Sequence, residues 1–396
     1  MRLRSQRIVA SDGVVGGEVV VRDGVIDSVN ATGSGSQAGL SGEPIELEDR
    51  WLVPGFIDVH VHGGGGAQFN TLDVDEVLTA ARFHARHGTT GLLATTVAAG
   101  VDELVGAMET VLVAMEASGG VADGAGLLGV HLEGPFLSRA RPGAMDPGVF
   151  LDVDEMVVDR LLDAGGGSGG GRVRVMTLAP ELPGAQSLIE RLSRSGIVCS
   201  LGHSDASYDQ ARAAVEAGAR SATHVFNAMP ALHHRAPGLL GAVLDLSQVD
   251  CELVCDGIHV DPAAMRLVRR AKGVEGFHLV TDAMAAAGMA DGEYRLGGAR
   301  VVVSDGRAVL AGGDSIAGST LTMDVAFANV VSSLGLSVEE AVRVTSRNPA
   351  ALLGLGDRKG SIAAGIDADL VVLDDELAVC GTMIGGEWVD GRPPAP

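Results

Sequence analysis

A chain of 396 residues is too long for one small core and suits a large barrel with an accessory unit, and an apolar content of 46% with only 3% aromatics calls for a core of Val, Leu and Ala. The formal net charge of −22 repels nucleic acid and anionic membrane surfaces, and no apolar run reaches the roughly 18 residues of a membrane span.

The start, MRLRSQRIVASDGVV, lacks the apolar centre of a signal peptide and reads as a first strand. Residues 1–53 alternate apolar and polar positions, and GGEVVVRDGVIDSVNA (16–31) has the pattern of a hairpin with an Asp-Gly turn. Residues 34–43, rich in Gly and Ser, read as a loose loop. Residues 361–396 repeat the strand pattern, as in ADLVVLDDELAVCGTMIGGEWVDG (368–391). Neither end makes a stable unit alone, so 1–53 and 361–396 are expected to meet in one small β-sandwich domain beside a central domain over 54–360.

The central segment has a βα rhythm. Eight strands are predicted at 56–62, 91–97, 127–133, 173–179, 196–203, 221–227, 251–260 and 277–284, with helical periodicity between them, clearest at 75–87 and 206–217. Eight such units over about 230 residues fit a (β/α)8 barrel, and near-continuous apolar strands are expected where helices cover a parallel sheet. GGGSGGG (165–171) reads as a flexible link, and RVVVSDGRAVL (300–311) as a hairpin inserted after the eighth strand.

Metal-ligand types and acids close most of these strands, which points to an active site on the C-terminal face of the barrel. His60 and His62 end the first. Residues two apart in a strand face one side, so both imidazoles can converge on one ion; one core and one surface histidine is the competing reading. The glycines at 63–66 would let the backbone pass close to a ligand. Glu133 ends the third strand, where a glutamate is seldom buried unless paired or bound to a cation. His203 and His224 stand at the fifth and sixth. One carboxylate and two imidazoles make the open three-ligand set of a catalytic zinc-type site.

Asp282 ends the eighth strand and suits a general base, or a loop cap. His259 follows the seventh. Arg235, after the sixth, is a local cation for an anionic substrate group, or a plain surface arginine. His84 and His87 lie on the first predicted helix and are expected to face solvent. His278 opens the eighth strand, at the wrong end for catalysis. The cysteines Cys199, Cys251, Cys255 and Cys380 have neither zinc-ribbon nor C-x-x-C spacing and read as buried thiols of a cytoplasmic protein. No phosphate-loop or dinucleotide fingerprint is present.

Longer stretches carry a resemblance: PGFIDVHVHG (54–63), HLEGPF (131–136), TLAPE (177–181), GHS (202–204), ATHVFNAM (222–229), PGLLGA (237–242), DGIHVD (256–261), LVTDAM (279–284), AGSTLTM (317–323) and GSIAAGIDADLVVLD (360–374). Together, almost end to end, they resemble the amidohydrolase superfamily and, within it, the N-acetylglucosamine-6-phosphate deacetylases. The resemblance implies that Glu133, His203 and His224 hold a catalytic divalent metal, zinc foremost with iron or another ion also suited. Asp282 would take a proton from the attacking water and pass it to the departing amine. Asn227, Ala228, Arg235 and the stretch Asp256, Gly257, Ile258 and His259 would line the sugar-phosphate site. Ala144, Ile316, Ala317 and Gly318 would also touch substrate.

Some members lack histidines at the positions of His60 and His62 and use one metal; this chain keeps both, so a second metal bridged by Glu133 is open. A neighbouring subunit contributes to the pocket in the family, which implies a homodimer. Many binuclear amidohydrolases bridge their metals with a carboxylated lysine, but the only lysines here, Lys272 and Lys359, stand outside the strand ends. Where Met145 stands, family members often carry a histidine that polarises the carbonyl. A thioether cannot donate a hydrogen bond, and losing one such donor can cost about 10²–10³ in rate.

The expected activity is hydrolysis of the acetamide of N-acetylglucosamine 6-phosphate to glucosamine 6-phosphate and acetate. Two other readings stand beside it: an amidohydrolase acting on another N-acyl amine, and a non-catalytic sugar-phosphate sensor.

Overall fold

A computed structural model describes residues 1–32, 43–117, 124–167 and 171–394. Eight parallel strands form the central sheet: Phe56–Val61, Thr89–Val97, Gly126–Glu133, Val173–Leu178, Val198–Leu201, Ser221–Ala222, Asp250–Val254 and Phe277–Val280. Each is hydrogen-bonded to the next in chain order. The seam between first and last closes beyond the ladders: Asp282 N–H donates to the His60 carbonyl at 2.9 Å and His62 N–H to that of Ala283 at 2.8 Å. The result is the expected barrel.

Sequence dictates this locally. Phe56–Val61 and Thr89–Val97 are buried at every position, as a sheet covered by helices and filled by its own side chains requires. The first helix, Val74–Arg86, begins where the Asp73 carboxylate caps the Asp75 N–H. It buries Val77, Ala80, Ala81, His84 and Ala85, one stripe of a 3.6-residue period. It stops before Gly88, whose φ of 82° suits glycine and where a Cβ would come within 2.6 Å of the Phe56 ring. Phe56 is fully buried and stacks on Phe327 with ring centroids 5.2 Å apart; loss of such a side chain costs about 3–5 kcal/mol.

A polar chain crosses the barrel interior. His131 Nδ1–H donates to the Val59 carbonyl at 2.9 Å, and its Nε2 lies 2.8 Å from Thr177 Oγ1. Thr177 meets Thr223 at 2.8 Å, and Thr223 meets Ser200 at 2.7 Å. Burial lowers the His131 pKa to about 4, so the ring is neutral and its second nitrogen can accept from the threonine.

Four strands end earlier than the apolar pattern suggested. The fifth stops at Leu201, the sixth at Ala222, the seventh at Val254 and the eighth at Val280. His203, His224 and Asp282 therefore sit just past the ladder, at φ values of 45°, 26° and 51°. Left-handed backbone at non-glycine residues costs energy and gathers at functional sites. The inserted segment is larger than predicted: Gly292–Leu296, Ala299–Ser304 and Arg307–Leu310 form a three-stranded antiparallel sheet. Of the predicted links, 34–42 and 168–170 lie outside the described residues.

The chain ends form a second sheet. Trp51–Pro54 lies between Arg2–Ala10, which it pairs in parallel, and Leu370–Leu373, which it pairs antiparallel. The predicted hairpin is present: Gly13–Arg22 pairs with Val25–Ala31 across Asp23-Gly24, both at positive φ, as a type I′ turn requires. Leu3, Ile8, Leu52, Leu370, Val372 and Trp388 build its core.

All four cysteines are free. Burial pushes Cys199, Cys251 and Cys255 up to about 12, leaving them inert at neutral pH; Cys380, expected to be buried, is half-exposed. Among the described residues no helix is long and apolar enough to cross a membrane.

Candidate metal centre and substrate pocket

At the C-terminal mouth of the barrel, Glu133 projects into a ring of four imidazoles. Its Oε1 lies 3.1 Å from His203 Nε2, 2.9 Å from His224 Nε2 and 3.6 Å from His60 Nε2; its Oε2 lies 3.4 Å from His62 Nε2. Asp282 Oδ1 is 3.1 Å from His62 Nε2 and 3.7 Å from His60 Nε2. All six residues are buried.

The outer ring nitrogens decide what the inner ones can do. His60 Nδ1–H donates to Glu252 Oε2 at 2.8 Å, His62 Nδ1–H to the Thr95 carbonyl at 3.2 Å and His203 Nδ1–H to the Arg141 carbonyl at 3.0 Å. Each bond leaves the Nε2 lone pair pointing inward. His60 and His62 then face each other Nε2 to Nε2 at 3.1 Å, and His203 and His224 do the same at 3.1 Å, beside an anionic Glu133. Lone pairs and carboxylates so close repel unless positive charge lies between them. Two overlapping donor sets result, His60–His62–Glu133 and Glu133–His203–His224, and both fit divalent cations that share the glutamate. A third grouping, His60–His131–Glu252, is a hydrogen-bonded network, since both His131 nitrogens are already engaged.

Electrostatics follow this geometry. Burial alone would raise the Glu133 carboxyl, but His60 and His203 hold it well below the usual range. Asp282 is likewise pushed up by burial and held lower by the facing imidazoles of His62, His60 and His224. Both stay ionised at neutral pH.

A cavity of about 350 Å³ opens over the centre, lined by His62, Glu133, His203, His224 and Asp282. Its lining divides by chemistry: Asn227, His259, Arg307, Asp314 and Ser315 offer polar groups, whereas Val97, Ala144, Met145, Ala228, Leu296 and Ile316 offer apolar side chains. His60 is fully buried behind His62. Asp256 holds His259 rather than facing the cavity: its Oδ2 accepts from His259 Nδ1–H at 2.7 Å and its Oδ1 from the N–H groups of Ile258 and His259 at 2.8 Å each. Burial lowers the His259 pKa, yet the Asp256 bond and the Asp282 charge outweigh it and raise the group. Gly257 and Ile258 are exposed, and Ala317 is buried.

Arg235 does not line its own cavity. It is exposed, with Nη1 2.7 Å from His234 Nε2. The arginine that lines the cavity is Arg307, on the third strand of the inserted sheet, together with Asp314 and Ser315. Glu252 was also missed. A lone glutamate inside CELVC (251–255), fully buried, is the same signal that drew attention to Glu133. His84, expected at the surface, is fully buried, with Nε2–H donating to the Gly63 carbonyl at 2.9 Å. Gly64 and Gly65 serve that packing: a Cβ on Gly64 would lie 2.5 Å from Phe83 and 2.8 Å from His84, and one on Gly65 3.0 Å from Phe83. Gly143 has a comparable role over the centre, where a Cβ would meet His203 at 2.9 Å.

A barrel with this donor set at its mouth is that of a metal-dependent hydrolase, and the chain belongs to the amidohydrolase family, whose model matches residues 51–389. Its relatives narrow the group. It is 38% identical over 349 residues to the N-acetylglucosamine-6-phosphate deacetylase of Lysinibacillus sphaericus, covering 87% of each chain. It is 36% identical over 390 residues to the N-acetylgalactosamine-6-phosphate deacetylase of Escherichia coli O157:H7, covering 97% of this chain and 98% of that one. It superposes with a TM-score of 0.91 and 40% identity on a mutant N-acetyl-D-glucosamine-6-phosphate deacetylase from Mycobacterium smegmatis in complex with N-acetyl-D-glucosamine-6-phosphate, over 98% of this chain and 99% of that one.

Proposed function

We propose that the chain hydrolyses the acetamide of N-acetylglucosamine 6-phosphate, releasing acetate and glucosamine 6-phosphate. The observation that carries the reading is Glu133 set between two histidine pairs with Asp282 beside His62, in a cavity that also offers Asn227, His259 and Arg307. Glu133, His203 and His224, with His60 and His62, would hold divalent ions, zinc foremost, which would supply polarisation of the amide carbonyl and activation of a water. Asp282, ionised and next to the reacting carbon's place, accepts the proton that water loses and returns it to the departing nitrogen. The Nδ1–H bonds to Glu252 and to the Arg141 carbonyl fix His60 and His203 in one orientation. His259, favoured as imidazolium, faces the anionic substrate with Asn227 and the Ala228 backbone.

Arg307 supplies the positive charge that the global charge of −22 withholds. Arg307→Ala is expected to raise KM for the 6-phosphate by about 10–100-fold, the worth of a charged hydrogen bond, and to leave hydrolysis of unphosphorylated N-acetylglucosamine unchanged. Equal loss on both substrates would remove Arg307 from phosphate recognition. We take the chain as a homodimer in which Arg235, exposed on the 230–237 loop beside His234, reaches the cavity of a second copy. Four unpaired thiols support a cytoplasmic location. We take 1–53 with 361–396 as an accessory domain and 54–360 as the hydrolase barrel. The relative that acts on the galactosamine epimer makes N-acetylgalactosamine 6-phosphate the second substrate to assay.

A further inference from the structure

A second cavity, of about 400 Å³, lies directly behind the substrate pocket. The two share Val97, Ala144, Met145 and Leu296, which line both; these four side chains are therefore the partition between them. The partition begins at the reacting centre. Val97 is the residue paired with Glu133 across neighbouring barrel strands, and Ala98 and Ala99 continue from it into the second cavity.

The partition is apolar and one part of it can move. Met145 packs against two apolar clusters, one that includes Val97, Met284 and Leu296 and another made of Ala98, Leu137 and Phe150. Its backbone is fixed by N–H donation to the Pro142 carbonyl at 3.0 Å. The side chain is not fixed in the same way, since an unbranched thioether with three rotatable bonds fills irregular gaps and repacks easily.

The carbonyl carbon of an amide carries nitrogen on one side and the acyl chain on the other. Asn227, His259, Arg307 and Ser315 offer the polar groups that suit the sugar phosphate, and Val97, Ala144, Met145 and Leu296 offer only apolar side chains, which suit the acyl chain. We propose that the second cavity takes that chain, so that the protein hydrolyses amino-sugar 6-phosphates whose N-acyl group is longer than acetyl. The inference rests on amide hydrolysis at this centre. The step balances as the parent reaction does: water adds its oxygen to the carbonyl carbon, the C–N bond breaks, the amine leaves with a proton, and the acid departs as a carboxylate. Glu103 and Asp146 stand exposed at the cavity's rim, so acyl chains ending in a carboxylate are disfavoured.

The test compares kcat/KM for N-acetyl-, N-propionyl- and N-butanoyl-glucosamine 6-phosphate, with metal supplied, in the wild type and two variants. Met145→Ala opens the partition. Gly298→Leu fills the far cavity, where an added Cβ meets no atom within 4 Å and the backbone is ordinary. The butanoyl amide is expected to reach within about tenfold of acetyl, whereas a site without room for its two added methylenes would reject it by roughly 100-fold or more. Met145→Ala should raise the butanoyl-to-acetyl ratio, and Gly298→Leu should lower it at least about fivefold with acetyl turnover unchanged. A butanoyl amide that the wild type and Met145→Ala both reject by about 100-fold or more overturns the proposal. So does a ratio indifferent to Gly298→Leu. Failure on all three amides would instead overturn the deacetylase reading, and the acyl pocket with it.

Discussion

Replacing Asp282 with asparagine is expected to lower kcat on N-acetylglucosamine 6-phosphate by about 10²–10⁴-fold, the usual worth of a positioned proton-transfer group. The change is nearly isosteric. Asparagine also tolerates the left-handed backbone at this position, where φ is 51°. The Asp282 N–H bond to the His60 carbonyl and the Ser319 N–H bond to the Asp282 carbonyl, at 2.9 and 2.7 Å, involve only backbone and survive it. Glu133, His203 and His224 remain, so bound metal measured by elemental analysis should not fall. Loss of turnover with full metal occupancy assigns Asp282 to proton transfer. Near-wild-type acetate release by the variant would remove it from that role.

Glu133→Gln is expected to act earlier, on the metal itself. The carboxylate is the only group shared by the two donor sets. An amide carries no charge, and two pairs of inward-facing imidazole nitrogens would be left without their anion. Metal affinity should drop by more than the roughly 10–100-fold that loss of an outer-shell partner costs, with activity falling in parallel. Retention of stoichiometric metal by the variant would contradict the bridging role. The two substitutions thus separate the centre's chemistry: one lowers turnover with metal present, the other lowers metal affinity and turnover together.

Much of this centre was legible because its signals are local. His60 and His62 are two residues apart on a strand that is buried throughout, so their convergence follows from strand geometry alone. Glu133 and Asp282 stood out as acids ending apolar runs. The barrel was readable from the alternation of apolar runs with helical stripes, and the Asp-Gly turn announced its hairpin.

What was not legible depends on long-range placement. The last strands were read too long because apolar character continues past the point where His203 and His224 turn the backbone out of the ladder. Arg307 is 25 residues past Asp282 in sequence and returns to the cavity only because the inserted sheet folds back over the barrel mouth. Arg235 is only 11 residues past His224 in sequence, but its side chain is exposed and does not line the cavity. His84 looked like a surface residue from helix position alone; the stripe it belongs to packs under the glycines at 63–66. Glu252 was visible by the rule applied to Glu133, and was overlooked because it lies mid-strand, where a carboxylate serves His60 rather than the substrate.

The most direct test of the account is acetate release from N-acetylglucosamine 6-phosphate by the purified wild-type chain, stripped with chelator and then titrated with zinc. The account predicts no release from the stripped protein and recovery that saturates at one or two ions per chain, with equal amounts of acetate and glucosamine 6-phosphate. Undiminished release after complete stripping, or none at any metal loading with zinc or iron, would contradict it.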